Sequence, residues 1–389
     1  MAVTEKTLPL ARLGVVGGGQ LGRMLAPACN NHDVHMTILD PSNNSPAGQV
    51  AFDQIEGEPD DPAALQLLCE RSDVVTFDIE NVGADILMAL ADQSIEIVPA
   101  PAIIRLIQNK FDQKCHYRVS GIPTADFIDL AEESSFSNVE AFGLPCVQKA
   151  HTGGYDGRGV HIIRSREDWE NRLEAPSFLE AFIANGTELA VMIARRACGE
   201  MVAYDPVEMV VDPRLNLLDY LIAPARVNTN VLEVAQELAK KTVESFATPG
   251  LFGVELFLTN SGDLLVNEVA PRAHNSGHHT IEACVTSQFE NQLRACLDLP
   301  LGQTDLKGCA LTANLIGEAG YVGCPVIEGL DEFAKIANSH IHLYGKDTCR
   351  PGRKMGHFTL VGDDHDELIR RLASIRDVLI IRGDTPQWQ

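Results

Sequence analysis

The 389-residue chain has no apolar run of about 18 residues, so it carries no signal for a transmembrane helix. Its start, MAVTEKTLPLARL, lacks the apolar stretch of a secretory signal. Its ten cysteines include no Cys-x-x-Cys pair and no regular spacing. That pattern gives neither a disulfide framework nor a zinc site, and it predicts reduced thiols in a cytoplasmic protein. Basic residues are scarce, 31 Lys and Arg against 54 Asp and Glu, for a net charge of −23. Broad nucleic-acid binding needs basic patches, and this balance argues against it. Binding of one small anion is not excluded, because a local cluster decides it. Arg350-Pro-Gly-Arg353-Lys354, close after Lys346, is such a cluster. Repeats and low-complexity segments are also missing, and the length implies two or three domains.

The most informative segment is Leu264 to His279, LLVNEVAPRAHNSGHH. A strand-like apolar pattern runs into Asn267, Glu268, Arg272, His274, Asn275, Ser276, His278 and His279. Burying so many polar groups unpaired costs on the order of several kcal/mol each, so they are expected to face a cleft. Upstream, Gly253 to Leu258 and Asp263 to Glu268 flank Asn260-Ser261-Gly262, a hairpin signal. A two-residue loop at Ser261-Gly262 pairs Asn260 with Asp263 and sets Glu255 opposite Glu268. Like charges facing across strands repel. A divalent cation removes the conflict, and Mg²⁺ prefers carboxylates together with phosphates. The register fails if the loop holds an odd number of residues, since a one-residue slip moves one carboxylate to the other face.

Residues 12 to 100 alternate short strands (13–16, 35–39, 73–77) with helices, the pattern of a parallel doubly wound α/β sheet. Gly17-x-Gly19-x-x-Gly22 follows the first strand, and Asp40 lies 18 residues beyond Gly22. This satisfies the dinucleotide fingerprint and makes an NAD-dependent oxidoreductase a rival. The same motif also serves simply as a tight strand-to-helix turn. A helical connector spans Ile103 to Val119 and carries Lys110 and Lys114 on one face, which by spacing alone reads as solvated. Residues 140 to 210 form a largely β unit. Within it, HTGGYDGRG at 151–159 has four glycines in nine residues between strands, with Lys149 on the entering strand and Arg158 in the loop. Such backbone amides can cradle phosphate. Glu180 and Glu188 each open a strand, and an amphipathic helix from Asn230 to Phe246 is expected to be capped by Thr229 or Asn230. A small third unit begins near residue 300.

Four segments together, GGGQLGRM (17–24), HTGGYDGRGV (151–160), NEVAPRAHNSGHHT (267–280) and RPGRKMGH (350–357), resemble the ATP-grasp superfamily. Within it they resemble the 5-(carboxyamino)imidazole ribonucleotide synthases of purine biosynthesis, in a fungal form fused to a downstream carboxylase or mutase. The resemblance implies an α/β and α+β architecture. A Rossmann-like pre-ATP-grasp domain would cover residues 1–122. An ATP-grasp domain would cover 123–305, split into a small β part to about 200 and a central part from 201. A small C-terminal domain, 306–389, would complete the central part.

The same resemblance implies that ATP is held by Lys110, Lys149, the loop Gly154, Tyr155, Asp156, Gly157, Arg158, Gly159 and Val160, the edge Glu180, Ala181, Phe182 and Ile183, and by Glu188, Asn267 and Glu268. Mg²⁺, as two ions, would lie on Glu255 and Glu268, with no NAD and no zinc. Aminoimidazole ribonucleotide would be held by Gly19, Gln20, Leu21, Tyr155, Asp156, Arg158, Arg272, His274, Asn275, Ser276, Lys346, Arg353 and Lys354. Arg272, His274 and Asp156 would act in catalysis, and the choice of proton carrier between His274 and Asp156 stays open. One departure stands out: relatives often continue after Glu208 with Asn and a nearby His, whereas this chain reads Glu208-Met-Val-Val-Asp212. The implied reaction makes carboxyphosphate from bicarbonate and ATP, and the ribonucleotide's exocyclic amine attacks it or the CO₂ it releases. Water is kept out by closure of the glycine loop. The resemblance also implies a cytoplasmic homodimer. Besides the oxidoreductase, the rivals are an ATP-grasp ligase with another acid or amine and a non-catalytic nucleotide-binding module.

Overall fold

A computed structural model describes residues 7–93, 95–131, 134–154, 159–212 and 217–387. The alternating pattern at the N-terminus folds as expected, into a five-stranded parallel sheet. Its spatial order is Asp53–Glu56, Val34–Asp40, Ala11–Val16, Val74–Phe77, Glu96–Ile97. Strand order 3-2-1-4-5 is that of a doubly wound unit, with a topological switch beside the first strand. Leu13, Val15, Val16, Ile38 and Leu39 have no solvent exposure, as parallel strands covered on both faces require.

The expected single connector helix is instead two helices, Pro101–Gln108 and Lys110–Val119. The break is at Asn109, whose extended backbone lets its side chain accept from the amides of Phe111 and Asp112. A new cap in the middle of a periodic pattern re-aims the second helix. The amide of Lys110, freed by the break, donates to His151 O at 2.8 Å. The later amphipathic helix runs Thr229–Glu244 and is capped by Asn228, ahead of both expected caps; its side chain accepts from Val231 N.

A four-stranded antiparallel sheet follows the connector, in the order Phe127–Leu130, Ser177–Ala181, Cys146–Ala150, Val160–Ile163. The rest is organised by a nine-stranded antiparallel sheet. It runs from Leu264–Ala270 through Gly250–Leu258, Thr187–Arg195, Val207–Asp212 and Leu217–Ala223 into Cys309–Ile316, Lys354–Gly362 and Ser339–Leu343. Met201–Ala203 pairs with the side of Thr187–Arg195. The helices Lys110–Val119 and Thr229–Glu244 pack on this sheet through Tyr117, Ala235, Ala239, Val243, Phe252 and Val254, all without exposure. Burying each of the larger of these side chains contributes roughly 1.5–3 kcal/mol. A separate cluster joins the N-terminal unit to the large sheet through Leu25, Met192, Leu251, Phe289 and Tyr344. These clusters fix the N-terminal unit and the connector helices against the large sheet. All ten cysteines are free, and no described helix is long and apolar enough to cross a membrane.

Candidate active site

The strands Gly250–Leu258 and Leu264–Ala270 form the expected hairpin, and Glu255 does face Glu268. The route to that register differs from the expectation. Thr259 N donates to Asp263 O, so the loop holds three residues, Asn260 to Gly262, with Gly262 at φ +90°. Leu258 therefore pairs with Leu264 and Leu256 with Val266, one residue out of step. A bulge at Asn267 then restores the alignment before Glu255. Bulges bend a strand and re-aim side chains, and they concentrate beside active sites. Here Asn267 becomes a bridge: its Oδ1 accepts from Lys149 Nζ at 2.9 Å, and its Nδ2 lies 3.4 Å from Glu255 Oε2.

Around the two carboxylates stand groups from the connector helix, the small sheet, the large sheet and the turn after the hairpin. Lys110, at the start of its helix, ion-pairs with Glu268. Lys149, from the small sheet, donates to Glu180 at 2.5 Å. His274 Nε2 is 3.4 Å from Glu255 Oε1. Glu188, from the strand beside the hairpin, shares this face. Burial, then the charge of Glu268 and then Glu188 raise the pKa of Glu255 well above the carboxylate range. Burial acts on Glu268 in the same direction, but Lys110 and Lys149 outweigh it and hold this carboxyl low. The two carboxyls titrate as a coupled pair, with Glu255 the harder of the two to ionise. Glu188 is raised by burial, with Lys149 opposing. Lys110 is raised despite its burial, by Glu268 and then by Glu80 and Glu255.

The expectation that Lys110 and Lys114 form a solvated face is wrong for both. Their side chains are 22% and 3% exposed, and each is ion-paired. An i, i+4 spacing fixes a common face but is silent about what covers it. Glu180 likewise turns inward as an ion-pair partner of Lys114 and Lys149, with 3% exposure. Ala181, Phe182 and Ile183 follow it, half-buried, and Val160 is exposed at the head of its strand. Gly154 and Gly159 frame the glycine loop, where Gly159 O accepts from Ala150 N at 2.8 Å. Tyr155, Asp156, Gly157 and Arg158 lie outside the described residues.

The second half of the cleft is built by the turn after Ala270. A side chain at Gly253 would strike His274 Cβ at 2.8 Å, so glycine lets this turn lie directly on the hairpin. Arg272 reaches Glu80 of the N-terminal unit at 3.0 Å, and His274 Nδ1 contacts Ser276 Oγ at 2.8 Å. Asn275 and Ser276 open a short 3₁₀ turn. His278 then stacks on His357 with ring centroids 4.5 Å apart, and His357 stacks on His342 at 4.6 Å. Tyr344 Oη lies 2.9 Å from His357 Nδ1, and His342 Nε2 lies 2.6 Å from Glu282. This column ties the turn to the strands carrying the basic cluster. Lys346 donates to Lys354 O at 2.7 Å and Arg353 to Thr348 O at 2.7 Å. Across from them, Gln49 bonds both Gly345 O and Arg23, so the N-terminal unit closes the cradle. Burial lowers the pKa of His278 and His357 far below the usual imidazole value and brings His279 to about 4.

The glycine loop at 17–22 has a different fate. Gly19 N and Gly22 N donate to the two oxygens of buried Asp78, at 2.5 and 2.9 Å, and Gly18 N donates to Asp40 at 2.8 Å. The amides that a dinucleotide phosphate would take are already bonded. Asp40, the residue expected to hold a ribose in that rival, is the acceptor. Of the expected contacts here, Gln20 is half-buried, Gly19 N is spent on Asp78, and the Leu21 side chain belongs to the core. Asp78 and Glu80, at the end of strand Val74–Phe77, were missed by sequence reasoning. Their signal was a strand ending in Asp78-Ile-Glu80, next to the switch point. Met209, which follows Glu208, is buried opposite Glu188, and Glu208 forks onto Arg226 at 2.9 and 2.5 Å.

Comparison with known proteins agrees with this geometry. Residues 10–108 match the ribonucleotide synthetase preATP-grasp domain and 115–289 the ATP-grasp domain. Residues 310–371 match the phosphoribosylaminoimidazole carboxylase C-terminal domain. The chain is 37% identical over 381 residues to phosphoribosylaminoimidazole carboxylase of Schizosaccharomyces pombe, covering 94% of this chain and 68% of that protein. It is 34% identical over 371 residues to N5-carboxyaminoimidazole ribonucleotide synthase of Bacillus subtilis, covering 94% and 95%. It therefore spans about two thirds of its fungal relative and nearly all of the bacterial one. Among solved structures, the N5-carboxyaminoimidazole ribonucleotide synthetase of Thermotoga maritima superimposes with a TM-score of 0.90 at 41% identity, covering 96% of this chain and all of that one. The N5-carboxyaminoimidazole synthase of Aspergillus clavatus, solved with ADP and 5-aminoimidazole ribonucleotide, gives 0.86 at 35%, covering 94% and 98%. A nine-stranded sheet carrying an opposed carboxylate pair, and relatives matched along nearly the whole chain, place this protein in the N5-carboxyaminoimidazole ribonucleotide synthase family of ATP-grasp enzymes.

Proposed function

We propose that the cleft carries out the family's reaction, ATP-dependent carboxylation of the exocyclic amine of aminoimidazole ribonucleotide, through the residues described above. The observation that carries this reading is the half-buried Glu255–Glu268 pair, set between two lysines on one side and a basic, histidine-backed cradle on the other. The pair fits Mg²⁺, which binds through one or two carboxylates plus substrate phosphates. Glu255, Glu268 and the Asn267 amide oxygen would hold it. When bound, the metal draws negative charge off the phosphates of ATP.

The protein groups then have separable tasks. Lys110 and Lys149 are positioned to meet phosphate oxygens as charge shifts during transfer, which is a matter of placement and electrostatics. Glu188, half-buried at a strand start, suits ribose hydroxyls. Phe182 and Ile183 offer an apolar edge to the base. In the cradle, Lys346, Arg353 and Lys354 suit the acceptor's phosphate, while Arg272 and His274 suit the reacting end. His274 is 3.4 Å from Glu255, which supports a role for it between the metal carboxylates and the acceptor. A neutral imidazole there can take the proton that the amine sheds as its bond to the carboxyl carbon forms. Asp156 keeps the same candidacy. The family resemblance also supports a homodimer, a downstream carboxylase or mutase partner and a cytoplasmic location. Sedimentation of the purified chain tests the dimer.

The decisive experiment follows phosphate release from Mg-ATP with bicarbonate, with and without aminoimidazole ribonucleotide. Strong dependence on the ribonucleotide supports the proposal. Release that ignores it, or follows another amine, transfers the site to a different ligase.

A further inference from the structure

Lys114 has no task in the reading above, yet its side chain is enclosed and met by acceptors from three elements. Its side chain is 3% exposed. Its ammonium has three protons to donate, and three acceptors meet it: Glu180, Thr124 Oγ1 at 2.7 Å and Val266 O at 3.2 Å. These belong to the small sheet, the loop before it and the carboxylate hairpin. Thr124 Oγ1 also donates to Val266 O at 2.7 Å, closing the network. Lys149 is held by Glu180 and Asn267 and keeps 12% exposure. One buried carboxylate therefore faces two ammonium groups, one anchored by three bonds and one bordering the cleft.

A single pair, Glu180 with Lys149, would trap Lys149. Moving that ammonium to a phosphate would leave a buried carboxylate without a counter-charge, which is strongly unfavourable. The anchored second cation removes this obstacle, because Glu180 stays paired whichever way Lys149 points. We propose that Lys114 is a positioning residue that neutralises Glu180 from behind and so releases Lys149 to the phosphates of ATP. The inference rests on the nucleotide site proposed above. It is consistent with burial and the neighbouring Lys149 lowering Lys114 to about 8 against the pull of Glu180, the signature of a cation crowded by another.

The test is the binding of Mg-ATP and of adenosine to the whole chain, with Lys114→Met, Lys114→Arg, Glu180→Gln, Lys149→Met and the Lys114→Met/Glu180→Gln double variant. Lys114→Met is expected to weaken Mg-ATP at least tenfold and leave adenosine, which has no phosphate, within twofold. Lys114→Arg keeps the charge and is expected to restore most of the affinity. With Glu180 neutralised there is nothing left to trap Lys149, so Lys114→Met added to Glu180→Gln is expected to cost less than twofold. Additive losses in the double variant, equal losses for ATP and adenosine, or no loss in Lys114→Met overturn the inference. Should Lys114→Met alone not fold, the double variant compared with Glu180→Gln carries the test. Lys149→Met separates the two levels: if it leaves Mg-ATP affinity unchanged, the nucleotide site itself is misplaced. If it weakens Mg-ATP while Lys114→Met does not, only the role of Lys114 fails.

Discussion

Two segments rich in functional residue types, the glycine loop at 17–22 and the hairpin carrying Glu255 and Glu268, meet opposite electrostatic fates. In the loop every distinctive donor is satisfied internally: Gly18, Gly19 and Gly22 are bonded to Asp40 and Asp78. At the hairpin Glu255 faces Glu268, and three lysines are paired with Glu268 and with Glu180 of the neighbouring small sheet. A saturated set of hydrogen bonds has little left to offer a ligand. A conflicted set gains when a charged ligand arrives. The contrast separates scaffold from site more sharply than either motif does by its sequence.

The largest effect that would break the comparison is at Glu268. Glu268→Gln is expected to lower kcat/KM by about 100- to 1,000-fold, the scale for losing one electrostatic stabiliser of a transition state, with little change in melting temperature. Turnover within threefold of the parent would strip the hairpin of its metal role. A next-largest effect concerns stability in acid. His278, His279 and His357 are buried as neutral rings, with folded-state pKa values below the ordinary value of 6.5. Between pH 6.5 and about 4 the unfolded chain therefore binds more protons than the folded one, and stability falls as pH falls. His279 alone is expected to lose about 2 kcal/mol by pH 5. Urea midpoints at pH 7.5 and 5 check this, and identical midpoints would contradict it.

Smaller still is Asp78→Asn, which sets an amide in place of the double acceptor. It is expected to cost about 1–3 kcal/mol of stability while leaving Mg-ATP affinity unchanged. A large loss of affinity with intact stability would move the loop from scaffold to site. The smallest effect is the response to NAD: 1 mM NAD is expected to shift the melting temperature by less than about 1 °C, while Mg-ATP at several times its Kd shifts it by several degrees. Protection by NAD would reinstate the oxidoreductase reading.

The doubly wound unit was readable because its signals are local: short apolar strands, turn glycines and a repeating alternation. The facing glutamates were read correctly through two departures that cancel, a three-residue loop and the bulge at Asn267. Neither has a strong local signature, since a bulge is selected by what its side chain meets, here Lys149. The connector failed to read as two helices because Asn109 fits an apolar period without disturbing it, and only its side-chain bonds reveal a cap. The histidine column was invisible for another reason. Its members come from residues 278, 342 and 357, and no window of sequence places them together.

The nine-stranded sheet has a consequence for inheritance. Leu217–Ala223 is bonded to Cys309–Ile316, so the strands of the last sequence region continue the hydrogen-bond ladder of the middle one. Cutting the gene near codon 306 would expose a long bare edge on each fragment, an invitation to aggregate. Evolution could therefore vary loops, or append whole modules at either terminus, far more readily than it could exchange the final fifth of this chain for another.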